Sequence, residues 1–302
     1  MSAVAAQSVA VVVSAIGCDS MKCKNPFLKG IVPFPCGQCL FCRVSKRRLW
    51  THRILLEAAS HAESSFWTLT YSPENLPPDL SVHPCHVSSF IKRVRTRYQR
   101  LGRGPIRFFA VGEYGDISQR PHYHLVLFGV GESCQVPSEC WSLGYSYGAE
   151  LNATTAAYVA GYVVKKLDKN NPELKGRHPE FSRQSLKPGI GRNSVGPISQ
   201  FLVSGPGSKE IIRSGDVPSF LRHGSTTYPL GRYLKEAIRL ESGFSHKGAP
   251  NAAIQKRVEE LRPLREAAGS KAAYIASSPF LEKVKMLQSE RRMSIFKKVK
   301  KL

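Results

Sequence analysis

Acidic residues are scarce in this chain. Its 302 residues hold 22 Asp plus Glu against 44 Lys plus Arg, a formal charge of +22. Such an excess concentrates polyanions around the protein and points to nucleic acid ahead of anionic lipid or a merely solvated basic surface. Long hydrophobic runs are missing as well. The apolar stretch from Val9 to Ile16 is far too short to span a bilayer, and it lacks the basic flank of a signal peptide. No membrane partner is expected, and the same missing charge argues against reading Cys18 as a lipoprotein cysteine. No repeat of solenoid length and no long low-complexity tract occurs. There is no phosphate-binding G-x-x-x-x-G-K-[ST] loop; Gly205-Pro206-Gly207-Ser208-Lys209 has the wrong order. The eight cysteines do not suggest a disulfide framework, because Cys36, Cys39 and Cys42 are too regularly spaced. The compartment implied is reducing and cytoplasmic.

The periodicities predict an α+β fold with an antiparallel sheet and helices on one face. Arg43 to Ala62 reads as a helix with Trp50, Ile54 and Ala58 on one side. Phe66 to Tyr71 is β-branched and aromatic, and Ser72-Pro73 ends it. A second helix over 87–101 buries Val87, Phe90, Ile91, Val94 and Tyr98. Its Lys92, Arg93, Arg95, Arg97 and Arg100 face outward, to track phosphates or simply to be solvated. Strands over Ile106 to Glu113 and Pro121 to Phe128 form a hairpin. Asn152-Ala153-Thr154-Thr155 then caps a helix to about Leu167.

Residues 1–20 are expected to be a disordered extension or an over-long start, with Met21 as initiator. Residues 21–60 form a Cys-rich element and helix, 61–170 the core, and 171–302 a basic accessory region. In that last region 168–227 reads as loops with short strands, whereas 231–240 and 254–301 read as helical, with breaks near Pro263 and Pro279.

Three groups of residues carry chemistry. His122 and His124 share one face of a strand, because side chains alternate with period two. Glu113, on the neighbouring strand, can add a carboxylate. Two imidazoles and a carboxylate make an open three-ligand site that polarises a phosphate; Mn²⁺ or Mg²⁺ suits it, and Zn²⁺ would also bind. On the following helix Tyr158, Tyr162 and Lys166 stand four residues apart on one stripe. A phenol titrates near 10 and needs help to attack at neutral pH; a neighbouring ammonium would supply it. Each motif alone is equally explained by core packing, and the combination is what favours a site. The third group, Cys36-x₂-Cys39-x₂-Cys42 with Cys23 or Cys18 as fourth thiolate, fits a structural zinc knot and shares spacing with part of an iron–sulfur pattern. Zinc is the simpler reading, and buried unliganded thiols are the plain alternative. Cys85, Cys134 and Cys140 look incidental, and Trp67 and Tyr71 are expected in the core before any role in base stacking.

In that order, Phe66–Tyr71, Glu113 with His122 and His124, and the Tyr158/Tyr162/Lys166 stripe resemble the three motifs of the HUH endonucleases. Pro35-Cys36-Gly37-Gln38-Cys39, Thr68-Leu69-Thr70-Tyr71, Gly112-Glu113-Tyr114-Gly115 and Arg120-Pro121-His122-Tyr123-His124 are similar to the replication initiation proteins of microviruses, of the gokushovirus type. The resemblance covers roughly residues 21–170. It implies an RRM-like palm and a metal-dependent transesterification at a single-stranded DNA origin. One tyrosine would form a 5′-phosphotyrosine and release a 3′-hydroxyl for the host polymerase, and the second would serve circle closure. A host helicase would unwind the duplex, inside a bacterial cell. Two other readings stay open: a related tyrosine transposase or relaxase, and a non-catalytic, zinc-stabilised single-stranded DNA-binding protein.

Overall fold

The computed structural model describes residues 32–115, 117–163 and 174–244, with 23, 27–29 and 259. Strands β1 (Phe27–Lys29) and β2 (Val32–Phe34) pair as a short hairpin ahead of helix α1 (Leu40–Ala58). Then follow β3 (Ser64–Tyr71), α2 (Pro84–Arg100), β4 (Arg107–Tyr114), β5 (Pro121–Phe128), α3 (Val136–Cys140), β6 (Gly144–Glu150) and α4 (Ala153–Tyr162). Together with β7 (Phe181–Gln184), the strands from β3 onward make one five-stranded antiparallel sheet of order β6-β3-β5-β4-β7.

The α+β class and the antiparallel sheet match expectation, but the helices do not all lie on one face. Within β5, Tyr123, Leu125 and Leu127 point one way while Val126 and Phe128 point the other, and all five are fully buried. A strand apolar on both sides has to be covered on both sides. One face packs Trp67, Leu69, Leu125 and Leu127 against Val87, Phe90, Ile91 and Val94 of α2. The other packs Phe66, Phe109, Val126 and Phe128 against Ile54 of α1 and Ala156, Val159 and Ala160 of α4. Trp67 and Tyr71 are buried and belong to the first of these layers.

Beyond β7 the chain is more ordered than its Gly and Pro content suggests. Residues 168–227, expected to be loops with short strands, include α5 (Val195–Val203), α6 (Gly205–Ser214) and the hairpin β8 (Phe220–His223) and β9 (Thr226–Pro229). Pro206 sits in the first turn of α6, where no amide donor is needed, so it starts that helix rather than breaking it. Helix α7 (Gly231–Glu241) matches the expected 231–240. These elements share a core of Val195, Leu202, Leu221, Leu234 and Ile238, to which α1 contributes Leu56. Glu57 of α1 extends the tie, accepting from the Gly191 amide at 2.6 Å and pairing with Arg107 of β4. Nearly all of the helix expected over 254–301 lies outside the described residues, as do residues 1–20.

Candidate metal and tyrosine site

Strand register builds the first half of the site. Glu113 pairs directly opposite His122 across β4 and β5, and Val111 opposite His124. Directly opposed residues in an antiparallel pair share a face, so the carboxylate and both imidazoles project together. Glu113 Oε1 lies 2.8 Å from His122 Nε2 and 3.0 Å from His124 Nε2. Burial pushes the Glu113 carboxyl up, but the two imidazole hydrogen bonds outweigh it and hold it below its ordinary value.

The opposite ring nitrogens are also held. His122 Nδ1 lies 3.1 Å from the Arg120 carbonyl, and His124 Nδ1 lies 3.0 Å from Thr68 Oγ1. A carbonyl can only accept, so His122 Nδ1 carries the proton, and in the neutral ring Nε2 turns its lone pair toward a carboxylate. Two acceptors face to face need a positive charge between them, either a proton or a cation. This donor set, with outer partners fixing ring orientation, fits a divalent ion. One donor atom from each of Glu113, His122 and His124 lies within 4.8 Å of the others, so the group could hold a metal.

The tyrosines arrive on α4. Asn152 caps that helix by accepting from the amides of Thr154 and Thr155, while the Thr155 hydroxyl accepts from the Asn152 amide. With Ala156, Val159 and Ala160 docked on the sheet, the neighbouring stripe of Tyr158 and Tyr162 is turned to the histidines. The Tyr158 hydroxyl lies 3.3 Å from His124 Nε2. The Tyr162 ring stacks on the His124 imidazole with centroids 5.3 Å apart, and the two tyrosine rings meet edge-on at 5.0 Å. Tyr158 is 44% exposed. Burial, then the hydrogen bond with Tyr158 and the Glu113 charge, push the Tyr162 phenol well above its ordinary value. The helix ends at Tyr162, short of the expected Leu167, and Lys166 lies outside the described residues.

A second cluster lies at the N-terminus of α1. One sulfur from each of Cys23, Cys36, Cys39 and Cys42 lies within 4.8 Å of the other three. Cys36 and Cys42 are separated by 3.9 Å, and Cys39 and Cys23 by 3.8 Å. A tetrahedral ion with metal–sulfur bonds of about 2.3 Å sets its sulfurs roughly 3.8 Å apart. Gly37, at φ +75°, makes the left-handed turn that lets the Cys39 amide donate to Cys36 Sγ at 3.3 Å. Backbone amides of Cys39 and Gln38 bring the Cys36 thiol down to about 6, while burial pushes Cys42 up to about 12. Among the described residues, the fourth thiol beside the C-x₂-C-x₂-C run is therefore Cys23.

Two features of the site carried no motif. Thr68 fixes His124 through a hydroxyl whose role only the β3–β5 register reveals, and Arg120 fixes His122 through its backbone.

Residues 64–171 match a family of replication-associated proteins described by its ORF2 members. Among curated proteins, the chain is 32% identical over 178 residues to Replication-associated protein ORF2 of Spiroplasma virus 4, covering 52% of this chain and 55% of that protein. It is 30% identical over 182 residues to Replication-associated protein VP4 of Bdellovibrio phage phiMH2K, covering 54% and 57%. It is 32% identical over 155 residues to Replication-associated protein ORF4 of Chlamydia phage 1, covering 44% and 38%. The matched segments thus span little more than half of these relatives at most. No solved structure matches the chain. The resemblance to microvirus replication proteins read from the motifs is borne out: the stretch holding Glu113, His122, His124, Tyr158 and Tyr162 is similar to the replication-associated proteins of small phages.

Proposed function

We propose that this chain initiates rolling-circle replication of a small circular DNA by nicking a single-stranded origin with a tyrosine and later rejoining the strand. The observation that carries the reading is the Tyr158 hydroxyl lying 3.3 Å from a histidine that shares Glu113 Oε1 with its neighbour. Similarity to phage replication-associated proteins supports the same role.

Glu113, His122 and His124 would hold a divalent ion, Mg²⁺ or Mn²⁺. Once bound, the ion would polarise the scissile phosphate and stabilise charge on the leaving oxygen. Tyr158 is the first nucleophile in this reading, because it is the more exposed phenol and its hydroxyl already abuts the cluster. Its oxygen attacks phosphorus, the P–O3′ bond breaks, and the phenolic proton ends on the departing 3′-oxygen. The products are a 5′-phosphotyrosine and a 3′-hydroxyl that a host polymerase can extend. The linkage energy is kept, so rejoining consumes no nucleotide. Tyr162, buried against His124 with its phenol held protonated, is placed for the second cleavage. Lys166 would assist deprotonation, and a host helicase would open the duplex.

The test is an end-labelled origin oligonucleotide incubated with the protein and Mn²⁺, resolved on a denaturing gel. The expected result is a protein-linked 5′ fragment and a free 3′-hydroxyl fragment, both lost when Tyr158→Phe and Tyr162→Phe are combined. Tight binding without any cleavage would mean a non-catalytic binding module, and the nicking reading would fail.

We also propose that Cys23, Cys36, Cys39 and Cys42 hold one structural Zn²⁺. The sulfur separations suit a single tetrahedral ion better than a multi-iron cluster, whose thiolates bind separate irons. Elemental analysis should find one zinc per chain, lost in Cys39→Ser. Purified protein that is metal-free, yet equally stable after chelation, would refute the site.

A further inference from the structure

Half of one sheet face is open. Helices α1 and α4 cover that face over Phe66, Phe109, Val126 and Phe128. Toward the other end of the strands the same face carries the Glu113–His122–His124 cluster, and beyond it the edge strand β6. Register places two rows across the sheet. His122 pairs with Thr70, and Thr70 with Tyr145; His124 pairs with Thr68, and Thr68 with Tyr147. Tyr145 and Tyr147 therefore share the face of the histidines, two strands away. At about 4.8 Å per strand, their backbones lie roughly 10 Å from those of the histidines.

Both rings stand in solvent, Tyr145 at 66% and Tyr147 at 68% exposure. Two large aromatic side chains alternating on an edge strand bury nothing of their own. In these two rows only the short side chains of Thr68 and Thr70 lie between them and the cluster. Their spacing along the strand, about 6.7 Å, suits two successive bases of an extended strand. The surroundings suit a polyanion. The chain carries +22 overall, and the exposed Arg120 closes one end of the rows, donating to the Tyr71 carbonyl at 3.1 Å. The one carboxylate of β6, Glu150, alternates onto the opposite face at the far end of the strand.

We propose that Tyr145 and Tyr147 form a stacking platform for two consecutive bases of single-stranded DNA and lead the strand across Thr68 and Thr70 to the Glu113–His122–His124 cluster. The identity of the strand rests on the nicking function proposed above; stacking on the two rings does not depend on it. Aromatic stacking tolerates any base, so these residues supply affinity and direction of approach, not sequence choice.

The test uses the full chain with EDTA present and a fluorescein-labelled, unstructured oligonucleotide, read by anisotropy. Stacking on a ring is worth about tenfold in affinity, so combining Tyr145→Ser and Tyr147→Ser should weaken binding by about a hundredfold. Tyr→Phe and Tyr→Trp at both sites should stay within about twofold of wild type, since the π-face is kept. Thermal melting should be unchanged. With 5-iodouracil oligonucleotides, irradiation should crosslink Tyr145 or Tyr147. Wild-type affinity in the double serine variant, or crosslinks only to residues off this face, would overturn the platform. Loss of binding in the Phe pair would also overturn it, because the hydroxyls and not the ring faces would then be the contact. Nicking and stacking can fail separately. A protein that binds through these rings but forms no covalent adduct refutes nicking alone, whereas adduct formation with binding indifferent to the serines refutes the platform alone.

Discussion

Acid should destabilise this protein through a buried pair of histidines well away from the candidate site. His52 of α1 is fully buried, with Nδ1 2.8 Å from the Pro229 carbonyl and Nε2 2.9 Å from His223 Nε2. The carbonyl accepts, so His52 donates from Nδ1 and its Nε2 must accept the proton carried by His223 Nε2. Both rings are neutral in this chain of hydrogen bonds, and a further proton on His52 would set two N–H groups against each other. Burial accordingly brings His52 down to about 3, and burial lowers His223 as well. A folded value below the unfolded one means that the unfolded chain binds the extra proton. The stability is therefore intact above about 6.5 and drains away as pH falls toward 3. Between neutrality and about pH 5, where carboxylates remain ionised, His52 alone should remove about 2 kcal/mol. Urea unfolding of wild type and His52→Leu at about pH 7 and about pH 5 isolates this contribution. The leucine variant should start lower at neutral pH, because the Pro229 carbonyl and His223 lose a partner at about 1–3 kcal/mol each. It should then lose about 2 kcal/mol less than wild type on acidification. Equal losses in the two proteins would refute the neutral-pair assignment.

The same kind of geometry fixes other outcomes. Thr68→Val keeps the shape of β3 but removes the hydroxyl 3.0 Å from His124 Nδ1. Titration calorimetry should find Mn²⁺ binding about 10- to 100-fold weaker with little change in unfolding midpoint, and unchanged affinity would contradict the outer-partner role. Gly144 has φ +150°, and a Cβ there would sit 2.3 Å from the Ser72 amide nitrogen. Gly144→Ala should cost about 2–4 kcal/mol in chemical denaturation and loosen the β3–β6 edge; a neutral result would mean that the edge strand is paired differently. Glu57→Gln leaves Arg107 and the Gly191 amide facing a neutral side chain. A loss of about 3–5 kcal/mol is expected, whereas a change under about 1 kcal/mol would indicate that α1 and the 174–244 segment are joined mainly by apolar packing.

Much of the central architecture is legible in the sequence because its periodicities are strong. Pro121–Phe128 is found with the bounds expected of it, and α2 is the amphipathic helix its spacing predicts. The pairing of Glu113 with the two histidines follows from period two and one hairpin. Coverage of both faces is harder to read: β5 carries that signal in Val126 and Phe128, but alternating His and apolar residues mask it. Strand β6 has no clear pattern, because Gly-Tyr-Ser-Tyr-Gly-Ala-Glu is not continuously apolar and its alternating rings lie in solvent. The helices after residue 190 hide behind Gly and Pro placed at their starts, where these residues are tolerated. Thr68 cannot be singled out without strand register, since nothing in a lone threonine announces a hydrogen bond to an imidazole more than fifty residues along the chain.

The sharpest measurement is peptide mapping of the protein after reaction with Mn²⁺ and origin DNA, followed by exhaustive nuclease digestion and mass spectrometry. A nucleotide phosphate remnant on the peptide containing Tyr158, moving to Tyr162 only in Tyr158→Phe, is the predicted outcome. An adduct on any residue remote from His124, or cleaved DNA with no modified peptide at all, would contradict a phenol acting beside the Glu113–His122–His124 cluster.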